Sequence, residues 1–335
     1  MERPLRAAAL LRRTTRSSGT FLIVSVAIRT SPSKLYAYAS TLLALAAMTL
    51  RYRQYAAVLL RRAAIVLTAV VIVGALLRCT HVVDRSFIYF PSRDIEATPG
   101  DVGLDFEDVR FKASDGVMLH GWFVAGGGDA TLVWFHGNGG NIGHRVGNIR
   151  ELVARLQINI FIFDYRGYGR SEGSPYEEGT YLDAEAAIEH VRSRDDLDPD
   201  KIIYFGRSLG CAVAAEMAIK HPPRALICES GFTSVRGMTK RVYPFLPGLQ
   251  LLVTTKYDTL SKIAQLDIPV MVLHGDKDEI VPFSMSRELF DAVKGPKRFY
   301  AIEGAGHNDT YYVGGPPYFE ALREFVEEVI GEQQE

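Results

Sequence analysis

The chain changes its pattern of apolar and polar positions twice along its length. The first fifty residues, 1–50, mix Ala, Arg, Ser, Thr and Leu without a clear period, ending in an apolar run from Leu35 to Leu50. Arg51-Tyr52-Arg53 and Arg61-Arg62 then bracket a short apolar stretch, and a run without charges follows from Ala63 to Leu77, closed by Arg78. From Phe87 onward the pattern is that of a folded domain. Phe106 to Phe111 and Met118 to Val124 alternate, which predicts an antiparallel pair turning at Asp115-Gly116. Thr131 to His136 is continuously apolar, as a strand buried on both faces must be. Strands at Ile158–Phe163, Lys201–Phe205, Ala225–Cys228, Pro269–His274 and Lys297–Ile302 then alternate with helical patterns. Those helices are expected at Ile142–Leu156, Tyr181–Arg192, Cys211–Ile219, Ser284–Val293 and Tyr318–Ile330. Strands alternating with helices predict an α/β fold, a mostly parallel sheet with helices on both faces.

The apolar run at Ala63–Leu77 changes the picture of the N-terminus. About 15 residues at 1.5 Å each span some 23 Å, short of the ~30 Å hydrocarbon core, and flanking Arg62 and Arg78 can snorkel to make up part of the difference. Three organisations fit. One is an uncleaved signal anchor over residues 51–85, with basic residues holding the N-terminus in the cytoplasm and the domain on the other side. The second is a cleaved signal peptide with an exported domain, since Val73-Gly74-Ala75 offers small residues. The third is a packed N-terminal helix. Met48 is an alternative start, which makes residues 1–47 an upstream extension, and residues 1–50 are expected to form little structure. If they are part of the protein, Leu35–Leu50 is a candidate second span. The catalytic domain is expected over residues 86–335.

Composition adds mainly exclusions. The 335 residues carry a formal charge of −1 and are 47% hydrophobic, so nothing points to a nucleic-acid partner. Cys79, Cys211 and Cys228 lack metal-type spacing and cannot all pair. No metal and no organic cofactor is expected. Membrane lipid, through the apolar segment, and a small or acylated substrate are the expected partners.

The chemistry centres on Gly206-Arg207-Ser208-Leu209-Gly210, set between an apolar strand and a helix. A bare Gly-x-Ser-x-Gly is a weak signal, but in that setting it reads as a nucleophile elbow, with Ser208 held on a tight turn at a helix N-terminus. A serine needs a base and the base needs an acid. Of eight histidines only His307, in Gly304-Ala305-Gly306-His307-Asn308-Asp309, lies beyond every candidate acid. The acid follows the strand that starts at Pro269. Asp276 and Asp278 compete there, with Glu279 third; Asp278 is preferred because it precedes apolar Ile280-Val281 and so turns inward, while Asp276 suits the turn. The oxyanion donors are expected from the backbone N–H groups of Leu209 and of Asn138, the latter in His136-Gly137-Asn138-Gly139-Gly140-Asn141.

Val133–Asn138, Asp164–Gly169, Gly206–Gly210, His274–Asp278 and Gly306-His307 occur together and in order. From about Phe87 to the C-terminus the set resembles the α/β-hydrolase superfamily. It is most similar to the small-lidded, membrane-anchored branch that includes the α/β-hydrolase-domain depalmitoylases, and also to the serine-aminopeptidase-like grouping. The resemblance implies Ser208 as nucleophile, Asp278 as acid and His307 as base, and gives Asp164–Gly169 a structural place beside the site. The expected activity is hydrolysis of carboxylic esters or thioesters through an acyl-enzyme. An aminopeptidase-like serine peptidase and a catalytically silent scaffold are the alternatives. About forty residues from Ser230 to Asp267 allow only a small cap, and within it apolar Tyr243–Val253 is expected either to pack against the domain or to form a wall for an acyl chain.

Overall fold

The computed structural model describes residues 32–79, 82–242, 245 and 253–331. At the N-terminus one helix, α1 (Pro32–Cys79), runs for 48 residues, about 72 Å at 1.5 Å per residue. Its apolar side chains are exposed on every side, and it is long and apolar enough to cross a membrane. Residues 32–50 are thus helical, which corrects for them the expectation of little structure throughout residues 1–50; residues 1–31 lie outside the described part. Neither Pro nor Gly occurs from Ser33 to Val73, and Ala, Leu and Arg there are strong helix formers, so nothing breaks the helix between the two apolar runs.

The remainder of the chain, from Gly74, forms its own compact unit. In order it holds α2 (Val82–Phe87), β1 (Phe90–Pro91), β2 (Glu107–Lys112), β3 (Met118–Val124), β4 (Thr131–Phe135), β5 (Gly139–Gly140), α3 (Val146–Leu156), β6 (Asn159–Asp164), α4 (Glu177–Arg192) and β7 (Ile202–Arg207). There follow α5 (Leu209–Lys220), β8 (Ala225–Glu229), α6 (Val235–Val242), α7 (Thr259–Ile263), β9 (Val270–Gly275), α8 (Phe283–Ala292), β10 (Lys297–Ile302) and α9 (Thr310–Gly331).

Eight strands form one sheet in the order β10-β9-β8-β7-β4-β6-β3-β2. Strand β3 is antiparallel to both β2 and β6, and the rest of the sheet is parallel. Side-chain alternation along each strand splits the core into two layers. Val133 and Phe135 of β4 pack with Tyr204 of β7 and the inner faces of α4, α5 and α8. Leu132 and Trp134 of the same strand pack the other way, with Ile203, Phe205, α3 and α9. Every side chain of β4 and β7 is buried, and each fully buried apolar side chain contributes about 1.5–3 kcal/mol.

The chain leaves β4 for β6 on one side and returns to β7 on the other, so the connections diverge at the C-terminal ends of β4 and β7. Open α/β sheets form a crevice at such a point. Three helix starts shift by several residues from the sequence reading, one of them from Ile142 to Val146, with a 3-10 turn over Ile142–Arg145 ahead of it. Helix α4 starts at Glu177 rather than Tyr181, with Glu177 and Glu178 complementing the dipole of its first turn. Helix α9 starts at Thr310 rather than Tyr318, with a kink at Gly315 (φ 51°) ahead of Pro316-Pro317. In the cap, α6 and α7 are the described helices; apart from Phe245 and Val253, the expected wall at Tyr243–Val253 lies outside the described residues.

Candidate active site

Strand β7 runs directly into α5 through Ser208, whose backbone is held at φ 53° and ψ −115°. A non-glycine residue at positive φ is strained, and the surroundings must hold it there. Two glycines make the turn sterically possible. A Cβ at Gly210 would lie 1.8 Å from the carbonyl oxygen of Phe135, and one at Gly206 2.6 Å from that of Gly210. The requirement at both positions is close approach of backbone to backbone, not an unusual dihedral. The Ser208 N–H donates to the Glu229 carbonyl at 2.8 Å, which ties the elbow to β8.

His307, in the loop between β10 and α9, places its Nε2 3.1 Å from Ser208 Oγ. Its Nδ1 donates to Asp278 Oδ2 at 2.7 Å. A carboxylate only accepts from Nδ1, so the neutral ring is left with a bare Nε2 facing Ser208 Oγ. All three groups are buried or nearly so: Ser208 is 8% exposed, His307 6%, and the Asp278 side chain is fully covered. Asp278 also accepts the N–H groups of Ile280 and Val281 at Oδ1. Its Oδ2 lies 3.1 Å from His274 Nε2 at the end of β9. Burial pushes the Asp278 carboxyl up, but the bonds from His274 and His307 outweigh it and hold the group below the usual carboxylate range. Asp276, its competitor in sequence, instead caps the turn by accepting the Gly304 N–H at 2.7 Å. Glu279 is exposed and accepts the His307 N–H at 3.4 Å.

Asn138 and Leu209 both lie at the mouth of the cavity beside Ser208. The Leu209 N–H opens α5, where no intrahelical acceptor exists. The Asn138 N–H belongs to the Gly137–Asn138 peptide, and its direction is set from behind. His136 Nδ1 donates to the Gly137 carbonyl at 2.7 Å, and in a trans peptide the N–H points opposite to the C=O. His136 is fully buried, and desolvation followed by the charge of Arg145 pushes it down to about 3, so it is neutral. The next carbonyl, of Asn138, accepts from Tyr168 OH at 2.8 Å and from the Phe90 N–H at 3.0 Å. The Asn138 side chain donates to the Ile88 carbonyl at 2.7 Å. Strand β1 pairs in parallel with β5 here, Phe90 with Gly139 and Pro91 with Gly140. The segment before the main sheet is therefore a strap over the Asn138 loop. Asp164, at the start of Asp164–Gly169, bonds the Ile142 N–H behind the same loop at 3.0 Å.

One cluster carries no signal in the sequence. Arg207, which directly precedes Ser208 in the elbow, pairs through Nε with Glu229 Oε1 at 3.1 Å and donates from Nη2 to the His307 carbonyl at 2.8 Å. Glu229 is fully buried and accepts from Thr310 at 2.6 Å and Tyr318 at 2.5 Å. The loop carrying His307 is thus fastened to β7, β8 and α9 at once. Only the tertiary structure brings these residues together. His274, likewise, was legible only as the end of a strand.

Two cavities meet at Ser208. One, of about 160 Å³, is walled by Phe87, Ile88, Phe232, Val235, Met238 and Val281. Its apolar wall comes from the strap, the β8–α6 connection, α6 and the β9–α8 connection. The described residues of Tyr243–Val253 do not line it. The other, of about 340 Å³, is polar and includes Arg145, Arg207, His307 and the glycines of the Asn138 loop.

A family model described as the alpha/beta hydrolase fold matches residues 130–250. An uncharacterized protein of Mycobacterium tuberculosis is 37% identical over 253 residues, covering 74% of this chain and 89% of its own. The alpha/beta hydrolase domain-containing protein WAV2 of Arabidopsis thaliana is 34% identical over 275 residues, covering 75% of this chain and 89% of its own. Among solved structures, the Pyrococcus furiosus esterase Pf2001 superposes with a TM-score of 0.61 at 21% identity, over 73% of this chain and 99% of the esterase. With the sheet order, the elbow and these relatives in agreement, the chain belongs to the α/β-hydrolase family.

Proposed function

We propose that this protein is a serine hydrolase that cleaves carboxylic esters or thioesters through an acyl-enzyme. The observation that carries the proposal is the file Ser208 Oγ–His307 Nε2–Asp278 Oδ2, at 3.1 and 2.7 Å, at the junction of an apolar and a polar cavity. His307 Nε2 takes the Ser208 proton as Oγ attacks the acyl carbon. The N–H groups of Leu209 and Asn138 hold the developing oxyanion. His307 then gives the proton to the leaving oxygen or sulfur, and a water activated at the same Nε2 frees the acid. Asp278 keeps Nδ1 protonated and stabilises the imidazolium. A peptidase acting on N-terminal residues needs a carboxylate for the substrate amine, and among the described residues none lines either cavity.

The exposed apolar helix α1 supports attachment to a membrane. The basic residues on its N-terminal side favour a cytoplasmic N-terminus and a catalytic domain on the opposite side.

An alkyl fluorophosphonate probe tests the catalytic reading. Stoichiometric labelling of Ser208 in the active protein, absent from Ser208→Ala, is the expected result. An esterase-active protein that resists the probe would sink the assignment.

A further inference from the structure

The polar cavity is built around an unsatisfied cation. Arg145 is half-buried and donates from Nη2 to the Gly139 carbonyl at 2.7 Å, a bond that brings no negative charge. Its Nε is buried without a hydrogen-bond partner. The carboxylates whose fields reach it, Asp164 and Glu229, make no hydrogen bond to it: Asp164 accepts the Ile142 N–H at Oδ1 and keeps Oδ2 buried 3.8 Å from His120 Nδ1, and Glu229 is bonded to Arg207, Thr310 and Tyr318. Burial and then the neighbouring Arg207 charge push the Arg145 guanidinium down to about 10, and it remains ionised at neutral pH. A half-buried guanidinium with a free donor is costly until an anion pairs with it.

The position of this cation relative to the reaction decides what it meets. His307 lines the polar cavity and not the apolar one. The leaving group must collect its proton from His307 Nε2, so it departs on the polar side. The acyl chain then occupies the pocket of Phe232, Val235 and Met238. We propose that the leaving group carries a phosphate or carboxylate that binds Arg145 in the polar cavity. The substrate is then an amphipathic acyl ester or thioester, with its tail and its anionic head on opposite sides of Ser208. The acyl–oxygen or acyl–sulfur bond breaks, the Ser208 Oγ–acyl bond forms, and the serine proton leaves through His307 with the anionic alcohol or thiol. Water then releases the fatty acid. This substrate class rests on the serine-hydrolase reading above.

The test compares kcat/KM for three octanoyl esters below their micellar concentrations: octanoylglycerol, octanoylglycerol 3-phosphate and the octanoyl ester of glycerate. The wild type is expected to favour at least one anionic ester over the neutral one by about 10-fold or more. That ratio is expected to collapse toward unity in Arg145→Gln, to survive partly in Arg145→Lys and to shrink as salt rises. Whichever anionic ester leads identifies phosphate or carboxylate as the head. Equal kcat/KM for all three esters in the wild type, or a preference that persists in Arg145→Gln, overturns the proposal. If Arg145→Gln does not fold, protection of wild-type Ser208 decides. Glycerol 3-phosphate or glycerate is expected to slow fluorophosphonate labelling and glycerol not; equal protection by all three overturns it. Failure of the probe to label Ser208 at all, with no ester hydrolysed, would instead remove the serine-hydrolase reading on which the substrate class stands.

Discussion

Arg207 and Glu229 form a buried ion pair, Nε to Oε1 at 3.1 Å, and Arg207 passes the constraint on by donating to the His307 carbonyl at 2.8 Å. The pair connects the residue before Ser208 to the backbone of His307. Removing one charge of a buried pair leaves the other uncompensated, which costs about 3–5 kcal/mol. Glu229→Gln is therefore expected to lower stability on that scale in urea melts. A misplaced His307 is expected to cut kcat by about 100-fold, with KM little changed. An unaltered kcat in a folded Glu229→Gln protein would show that the pair does not position His307.

Asp278 tests the roles within the file. Asparagine in its place keeps the shape but can donate to His307 Nδ1, which favours the wrong tautomer. The expected outcome for Asp278→Asn is a loss of about 10⁴-fold in kcat with the fold retained. Asp276→Asn, by contrast, alters a turn-capping acceptor of the Gly304 N–H and is expected to keep kcat within about threefold, the effect of a surface substitution well under 1 kcal/mol. Steady-state kinetics on the two variants, beside circular dichroism to verify folding, separates them. A larger loss in Asp276→Asn than in Asp278→Asn would reverse the assignment.

The site was legible in the sequence where its chemistry is local, and opaque where it is tertiary. Gly206 and Gly210 announce the elbow because backbones meet there at distances no Cβ tolerates. The order Ser208, Asp278, His307 follows from strands whose runs are continuous and whose loops hold the polar residues. The sheet was equally readable, since burial on both faces leaves nearly pure apolar runs such as Leu132–Phe135. By contrast, His136 reads in sequence only as the end of a strand, and its hold on the Gly137 carbonyl exists only once β4 is buried. Glu229 falls just past the expected strand Ala225–Cys228, and nothing local links it to Tyr318, 89 residues on. The strap at Ile88–Phe90 carries no local signal because its partner, the Asn138 loop, lies 50 residues away. The continuity of α1 rests on the lack of Pro and Gly from Ser33 to Val73, whereas the hydrophobic pattern alone is interrupted at Arg51.

Buried His136 gives the fold an acid-sensitive element. Its folded value is about 3, below an ordinary histidine near 6.5. Between these values the unfolded chain binds the proton and the folded one does not, so stability falls as pH falls. The contribution is full above pH ~6.5 and is lost progressively toward pH ~3, by several kcal/mol in order of magnitude. Asp278, also depressed, acts with the same sign in a lower window, beginning near its unfolded value of ~3.9. Urea unfolding across pH 4.5–7 is expected to show a slope in the wild type that His136→Asn flattens. An identical slope in the variant would assign the acid sensitivity to other groups.

The apolar cavity predicts a chain-length preference. Met238 lies on its wall, and a tryptophan there fills space an acyl chain would use. Each methylene kept from burial forfeits about 0.8 kcal/mol, so exclusion of two or more costs about 10-fold. Met238→Trp is expected to lower kcat/KM for an octanoyl ester by that factor relative to an acetyl ester. A ratio unchanged from the wild type would place the chain elsewhere.

Helix α1 is about 72 Å long, more than twice the ~30 Å hydrocarbon core, so it cannot lie wholly within a bilayer. Its charges choose the segment that does. Arg51, Arg53, Arg61 and Arg62 divide the two apolar runs, and placing all four in lipid would cost several kcal/mol. The proposed anchoring puts Ala63–Leu77 in the core, between Arg61-Arg62 and Arg78 in the sequence, and the positive-inside rule then predicts a cytoplasmic side for the basic residues upstream. Because α1 is continuous, Leu35–Leu50 cannot fold back as a second span without breaking it. The full-length protein is therefore expected to stay with membranes through carbonate washing, and a version beginning at Gly74 to be released. Protease added to sealed cytoplasmic-side-out vesicles is expected to spare the hydrolase unit until detergent opens them. Cleavage before detergent would put Ser208 on the cytoplasmic face, and carbonate release of the full chain would remove the anchor.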